Sequence, residues 1–421
     1  MKMKFIFLTI LFKSLLEIVY YFYVYSNYSY AGFNWDPNYF KAIISYTYLI
    51  LFILLMQKDF TKPSSQLFLL FIYITFIPLS SYYWTNDASS VYFNMVSACF
   101  ILIILLLNFL KLPLLTKINF VKVRSLDIVN FIFITTLFLL IIFTIILGGI
   151  DLRSLDFNSV YELRSESEIN GLLGYLFNWI PKVFIPLLLV TYFFERKKFR
   201  LSLAIFMQVY FYLMTGHKSF LFSVVLILGL SYILKSKNFQ YYLAYFFSAI
   251  LIISVVLYEI SKNIFFIALM PVRQLNIPSH LSFEHFEFFS VNPKLYFSES
   301  IIGNLLNIES PYNIHSTFII GGGNVNANTG FLADAYDNGG LILMLIYSLI
   351  FAVFLKLIDA LSSGSFNSNI YTAYVVYMIV ILNDTGLLTT MLTSGLIILL
   401  IFLYFFSSTE SKKFEFRSSD S

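Results

Sequence analysis

Residues 128–147 read IVNFIFITTLFLLIIFTIIL, a run with no charged side chain. Coiled as a helix, a run of this length spans about 30 Å, the hydrocarbon thickness of a bilayer. Inside lipid only a helix or a closed barrel satisfies every backbone polar group. The same pattern recurs near 5–25, 39–56, 67–79, 91–110, 172–194, 201–214, 220–234, 239–258, 331–357, 370–382 and 387–406. The chain of 421 residues is 59% hydrophobic and 12% charged, which leaves too few polar groups to cover a water-soluble surface. The expected fold is therefore an all-α polytopic membrane protein of about twelve transmembrane helices.

Four of these runs, 67–79, 201–214, 220–234 and 370–382, are short for a full crossing. They are tilted, re-entrant, or borrow flanking residues. Lys2 and Lys4 before the first run resemble a signal peptide, but the run reaches Tyr25 without a small-residue cleavage site. An uncleaved first span is expected. Cys99 is the single cysteine, so neither disulfides nor a cysteine metal site can form within the chain. A net charge of +4 is small, and no nucleic-acid partner is expected from it.

Placement of the basic residues sets the topology. With the amino terminus inside, 18 of the 27 Lys and Arg residues fall in inner segments, among them Lys111, Arg124, Arg196, Lys235 and Lys356. Lys41, Arg153, Arg164, Lys218, Lys262, Arg273 and Lys294 fall outside. This asymmetry fits twelve spans with both termini cytoplasmic. It places two sizeable loops, 148–171 and 259–330, on the outer face. Short helices are expected in the second, with Asn292-Pro293 as a cap and first-turn proline and Leu281–Phe289 as an interface-lying helix.

The outer segments hold the chemistry. Between Glu259 and Gly340 the apolar runs stop and Arg273, His280, Glu284, His285, Lys294, Glu299, Glu309 and His315 arrive together, closing on GGGNVNANTGFLADAYDNGG (321–340). Arg164, beside Glu162, Glu166 and Glu168, suits a diphosphate because a guanidinium pairs bidentately and stays charged; it also simply offsets those glutamates. Thr215-Gly216-His217-Lys218-Ser219 forms a tight turn between two short runs. It is not a P-loop, yet a helix start with His217 and Lys218 can hold an anion, or Lys218 can snorkel to headgroups. Arg273 fits a second diphosphate clamp or a headgroup anchor. Asp334 and Asp337 share a helical face, favoured there by the helix dipole and also placed to take a proton from a hydroxyl. Lys13 and Glu17 are expected to pair across one turn of the first helix. His217, His280, His285 and His315 show no ligand spacing and there is no Asp-x-Asp element, so neither metal nor cofactor is expected.

In order along the chain, Glu162-Leu163-Arg164, Gly171–Tyr175, Thr215–Ser219, the Arg273 region, Phe288–Ser290, Asn292-Pro293, Ser298-Glu299-Ser300, Ser310-Pro311-Tyr312 and Asn326–Gly339 form a pattern. From about Tyr161 to the last run, it resembles the oligosaccharide repeat-unit polymerases of the O-antigen polymerase (Wzy) family. The resemblance implies a GT-C-like glycosyltransferase of the bacterial inner membrane, its active site facing the periplasm. Donor and acceptor would both be undecaprenyl-diphosphate-linked oligosaccharides, and a chain-length regulator would be a partner. Outer-face cations would stabilise the diphosphate leaving group, for which Arg164, Arg273 and Lys218 are the candidates. His217, Asp334 and Asp337 are candidates for the base, and Asn328 and Tyr336 for contacts to the sugar.

Two other readings share these features. A transporter or flippase for lipid-linked sugars would use similar clamps, but neither internal repeats nor a mid-membrane binding cluster is evident. A ligase that moves finished polysaccharide onto a lipid core would use a similar donor and a different acceptor.

Overall fold

The computed structural model describes residues 2–56, 59–110, 125–155, 163, 169, 171–323, 326–363 and 367–418, without the side chains of 2, 125, 155 and 408–418. Among the described residues the chain is helical, with no strand. Seven helices are long and apolar enough to cross a membrane: Met3–Ala31, Pro63–Thr85, Ser90–Phe109, Leu126–Leu147, Gly171–Phe194, Phe239–Ser261 and Phe331–Ser362. Shorter apolar helices occupy Tyr39–Leu55, Lys218–Leu234, Ser368–Ile381 and Leu396–Ser407. On Leu126–Leu147, Phe131, Ile134, Phe138, Ile141 and Ile145 form an exposed stripe at helical spacing, the surface a helix offers to lipid.

Pro63–Thr85 is the central pillar. The short run at 67–79 borrows both flanks to reach membrane length, and nearly all of it is buried. Its polar side chains are not wasted there, because several meet partners on other segments. Ser64 donates to Asp359 at 2.6 Å, Gln66 donates to Asn369 at 2.9 Å, and Thr75 donates to Asn383 at 2.7 Å. Such bonds tie helices together where apolar packing alone does not distinguish protein from lipid. At the other end Lys13 Nζ lies 2.7 Å from Glu17, as the spacing predicts, and donates to Ser80 and Ser81 at 3.1 Å. Trp84 and Tyr46 donate to the Glu17 carboxylate at 2.7 and 2.5 Å.

Several helices are deliberately interrupted. Wide π turns at Ile72–Phe76 and Ile180–Phe184 end two residues before Pro78 and Pro186, where a proline removes one helical hydrogen bond and crowds the preceding turn. Phe331–Ser362 breaks at Gly339 (φ −160°, ψ 19°) and Gly340 (φ 63°, ψ −154°), a left-handed position that favours glycine. The expected span at 387–406 is not one helix. It divides into Leu387–Met391 and a helix from Leu396, joined through Gly395 at φ 84°.

Two expectations about the second loop need correction. Asn292 does not begin a helix: it ends Ile277–Val291, and the next helix, Ile301–Leu306, is capped by Ser300. An Asn-Pro pair suits a helix exit as well as an entry, because proline cannot continue a helix. Leu281–Phe289 does lie in a helix, but its aromatic face is taken up by protein. Phe283 packs on Tyr82 and Tyr92, and Phe286 on Tyr336, so that face is not left for a membrane surface.

The buried ion pair is the testable element of this frame. Lys13→Met leaves Glu17 charged without its cation and is expected to cost about 3–5 kcal/mol. Lys13→Met combined with Glu17→Gln should recover part of that loss. Thermal unfolding in detergent checks both; a neutral Lys13→Met would show that the pair carries no stability.

Candidate functional site

Four segments converge beside the start of Phe331–Ser362. His285 comes from Ile277–Val291, Asp334, Asp337 and Asn338 from the first turns of the Phe331 helix, Ala327–Thr329 from the loop before it, and Thr385–Gly386 from the turn after Ser368–Ile381. His285 is the joint. Its Nδ1 lies 2.6 Å from Asp337 Oδ2 and its Nε2 lies 2.8 Å from the Ala327 carbonyl. A carbonyl only accepts, so Nε2 carries a proton and the second proton is shared with Asp337. Burial works against a charged ring, but Asp337, the Ala327 carbonyl and Asp334 outweigh it and raise the affinity of His285 for protons.

Backbone bonds complete the frame. Leu295 N donates to the Asp337 carbonyl at 2.9 Å, and Phe297 N donates to Asn338 Oδ1 at 2.7 Å. Tyr296 and Phe297 sit at φ 47° and 68°, strained values for side chains of this size that the Asn338 bond helps to hold. Gly330 and Gly386 allow close approach. A methyl group on Gly330 would meet the Asn383 carbonyl at 2.6 Å, and one on Gly386 would meet the Asp334 carboxylate at 2.7 Å.

These segments enclose a polar cavity of about 270 Å³ whose walls include Glu299, His315, Asn328, Thr329, Asp334 and Asp337. Glu299 clasps the far wall. It accepts from Ser316 N and Oγ at 2.9 and 2.7 Å and pairs with His315 at 2.9 Å. Glu299 raises the affinity of His315 for protons. Burial disfavours the Glu299 carboxylate, but His315 and Ser316 outweigh it and hold the group below its usual range.

A second, larger cavity of about 440 Å³ lies on the other side of the 383–386 turn, and Thr385 lines both. Its walls are mostly apolar, with Phe222, Phe246 and Leu257 among them, and Lys182 and Asp384 stand at its polar end. Lys182 donates to Asn178 at 2.8 Å. Burial pushes Asp384 up, while the charges of Arg273 and Lys182 act on it in the opposite sense.

The expected site residues divide between these places. Asp334, Asp337 and Asn328 line the polar cavity. Arg273 is exposed and acts electrostatically on Asp384. His217 caps the turn after Lys198–Thr215 and Lys218 begins Lys218–Leu234; neither lines the polar cavity, although the adjacent Ser219 lines the apolar one. Tyr336 points into the core, where Lys294 Nζ stands 3.2 Å above its ring. Burial lowers Lys294 to about 8, against the pull of Asp337. Arg164 lies outside the described residues. Lys182 and Asp384 escaped the sequence reading, although a lysine within the apolar run 172–194 is the kind of intramembrane charge that flags function. Among the described residues no three or more His, Cys, Asp or Glu side chains are grouped to hold a metal ion.

The Glu299–His315 clasp predicts a pH response. The raised His315 contributes fully below roughly pH 6.5, the ordinary histidine value, and its contribution is lost as pH rises through its folded value. The depressed Glu299 contributes above roughly pH 4.3 and is lost as pH falls through its folded value. Hydrogen exchange of the Ser316 amide, corrected for intrinsic rates, should therefore be slowest between those values and speed up above neutral pH. Protection that does not change from pH ~6 to ~8 would show that the clasp does not hold this loop.

No family model, curated protein or solved structure matches this chain, so the functional reading rests on the chemistry of the two cavities.

Proposed function

We propose that this protein is a membrane glycosyltransferase that polymerises lipid-diphosphate-linked oligosaccharide repeat units on the outer face of a bacterial inner membrane. The observation that carries the reading is the pair of cavities sharing Thr385, one apolar with Lys182 and Asp384 at its polar end, the other polar and lined by carboxylates. A polyprenyl tail suits the first and a sugar suits the second. The reacting bond then lies by the 383–386 turn.

In this reading the acceptor hydroxyl attacks the anomeric carbon of the donor sugar. The bond from that carbon to the diphosphate breaks, and the lipid diphosphate leaves with the electron pair. Lys182 and Arg273 stabilise the charge that develops there. Asp334 takes the hydroxyl proton. Asp337 is the weaker candidate because His285 engages one of its oxygens at 2.6 Å, and His217 stands away from the polar cavity. Arg164 and Lys218 remain proposed diphosphate contacts. The twelve-span topology with both termini inside and the GT-C-like fold belong to the same proposal, as does a chain-length regulator as partner.

Surface glycan from cells with and without the gene, separated on a gel, tests the reaction. With the flippase intact, deletion should leave a lipid core that carries one repeat unit. A core with no repeat unit would favour a flippase or ligase instead. Asp334→Asn should lower polymer formation by about 10²–10⁴-fold at unchanged protein abundance. Gly386→Ala, which displaces the Asp334 carboxylate, should lower it by about 10²-fold. Normal polymer in both variants would remove Asp334 from the mechanism.

A further inference from the structure

Charge is segregated between the two cavities, and this segregation bears on which sugar the polar one accepts. Three carboxyl groups line that cavity, those of Glu299, Asp334 and Asp337. His315 pairs with Glu299 and His285 with Asp337, so each of those carboxyls has a basic partner wherever the proton sits. Asp334 has none. Its carboxyl accepts from the Leu387 backbone, and Asn338 Nδ2, 3.4 Å away, is already bonded at 2.8 Å to the Asp334 carbonyl. Among the described residues no lysine or arginine lines this cavity; Lys294, whose charge acts on Asp337 from outside the lining, stands over the Tyr336 ring. Lys182 and Arg273 belong to the other side of the 383–386 turn.

The cavity also holds polar atoms that the protein leaves unused. Thr329 is 6% exposed and its hydroxyl has no hydrogen-bond partner. Asp337 is 3% exposed and its Oδ1 has none either. A buried polar atom without a partner is costly unless a ligand or water supplies one. Thr329 Oγ1, Asp337 Oδ1 and the Asp334 carboxyl together present one hydroxyl and several acceptor oxygens, the complement of a polyol.

We infer that the polar cavity is an acceptor-sugar subsite selective for neutral or amino-bearing sugars, and that it rejects uronic acids and other carboxylated sugars through Asp334 and the lack of an uncommitted basic group. The inference rests on the proposal that this cavity takes sugar. A sugar hydroxyl donates to Asp334 and Asp337 and accepts from Thr329, and a sugar ammonium pairs with Asp334. A sugar carboxylate would be buried beside Asp334 with no lysine or arginine to pair it and with both histidines already held by Asp337 and Glu299.

The test is saturation-transfer NMR on the full-length protein in zwitterionic nanodiscs. Methyl glycosides in gluco and galacto configuration are compared in neutral, amino and uronic forms. The neutral or amino form of at least one configuration should saturate, with the matching uronide weaker by about tenfold or more. Asp334→Asn should narrow that gap, and Asn328→Ala, which alters the wall but not its charge, should preserve it. Equal saturation of uronide and neutral sugar, an unchanged gap in Asp334→Asn, or no saturation by any glycoside would overturn the inference. Sugar selectivity of the expected kind alongside normal polymer in the deletion strain would sink the polymerase reading and leave the subsite standing.

Discussion

The polar end of this protein depends on one imidazole. His285 grips the Asp337 carboxylate with one ring nitrogen and the Ala327 carbonyl with the other, joining the helix Ile277–Val291 to the Phe331 helix and to the loop before it. Because both nitrogens are engaged, His285 cannot act as a base without letting go of the loop. It is a strut. One oxygen of Asp337 is committed to holding it, and that commitment leaves Asp334 as the carboxyl in the cavity without a basic partner.

The same economy explains the glycines at the site. Asp334 can lie against the 383–386 turn only because residue 386 has no Cβ, and the loop reaches the Asn383 carbonyl only because residue 330 has none. The turn is thereby drawn against the start of the Phe331 helix, where Phe331 N donates to the Leu382 carbonyl at 3.2 Å. It becomes a thin wall between an apolar chamber that holds Lys182 and a polar chamber with carboxylates. Keeping the two signs on opposite sides of a wall avoids neutralising them against each other. Asp384 is the exception, a carboxyl on which the charges of Arg273 and Lys182 act.

What the sequence made legible was local. Apolar length marked the chain as an all-helical membrane protein and seven of its expected runs as membrane-length helices, the i,i+4 spacing paired Lys13 with Glu17, and the i,i+3 spacing put Asp334 and Asp337 on one side of a helix. What it hid was either distant or conformational. His285 and Asp337 are 52 residues apart, and Lys182 and Asp384 come from opposite halves of the chain, so no spacing rule joins them. Asn292-Pro293 misled because the same dipeptide fits a helix end and a helix start; only the position of the preceding helix decides. The run at 387–406 hid its break because Gly395 is one small residue among apolar neighbours. Its backbone is left-handed, and a Cβ there would meet Trp179 and Val183 at 2.7 Å, both more than 200 positions earlier.

The break at Gly339–Gly340 resolves a conflict that a straight helix could not. Residues Phe331–Asn338 carry two carboxyls and an amide that must face a cavity, whereas the residues after Gly340 are apolar and suited to lipid or to helix packing. A single rigid rod would fix both parts in one rotational phase, so aiming Asp334 would also decide which face of the remaining helix meets the bundle. Two glycines, one of them left-handed, uncouple the phases. The polar backbone they expose is tolerable only where protein or a cavity supplies partners in place of lipid. Asn338 stands immediately before the break and is bonded to Phe297 N at 2.7 Å and the Asp334 carbonyl at 2.8 Å, so the helix end is fastened where it would otherwise fray. The break therefore belongs to the site: it is what lets one helix both present the carboxylates and cross the apolar layer.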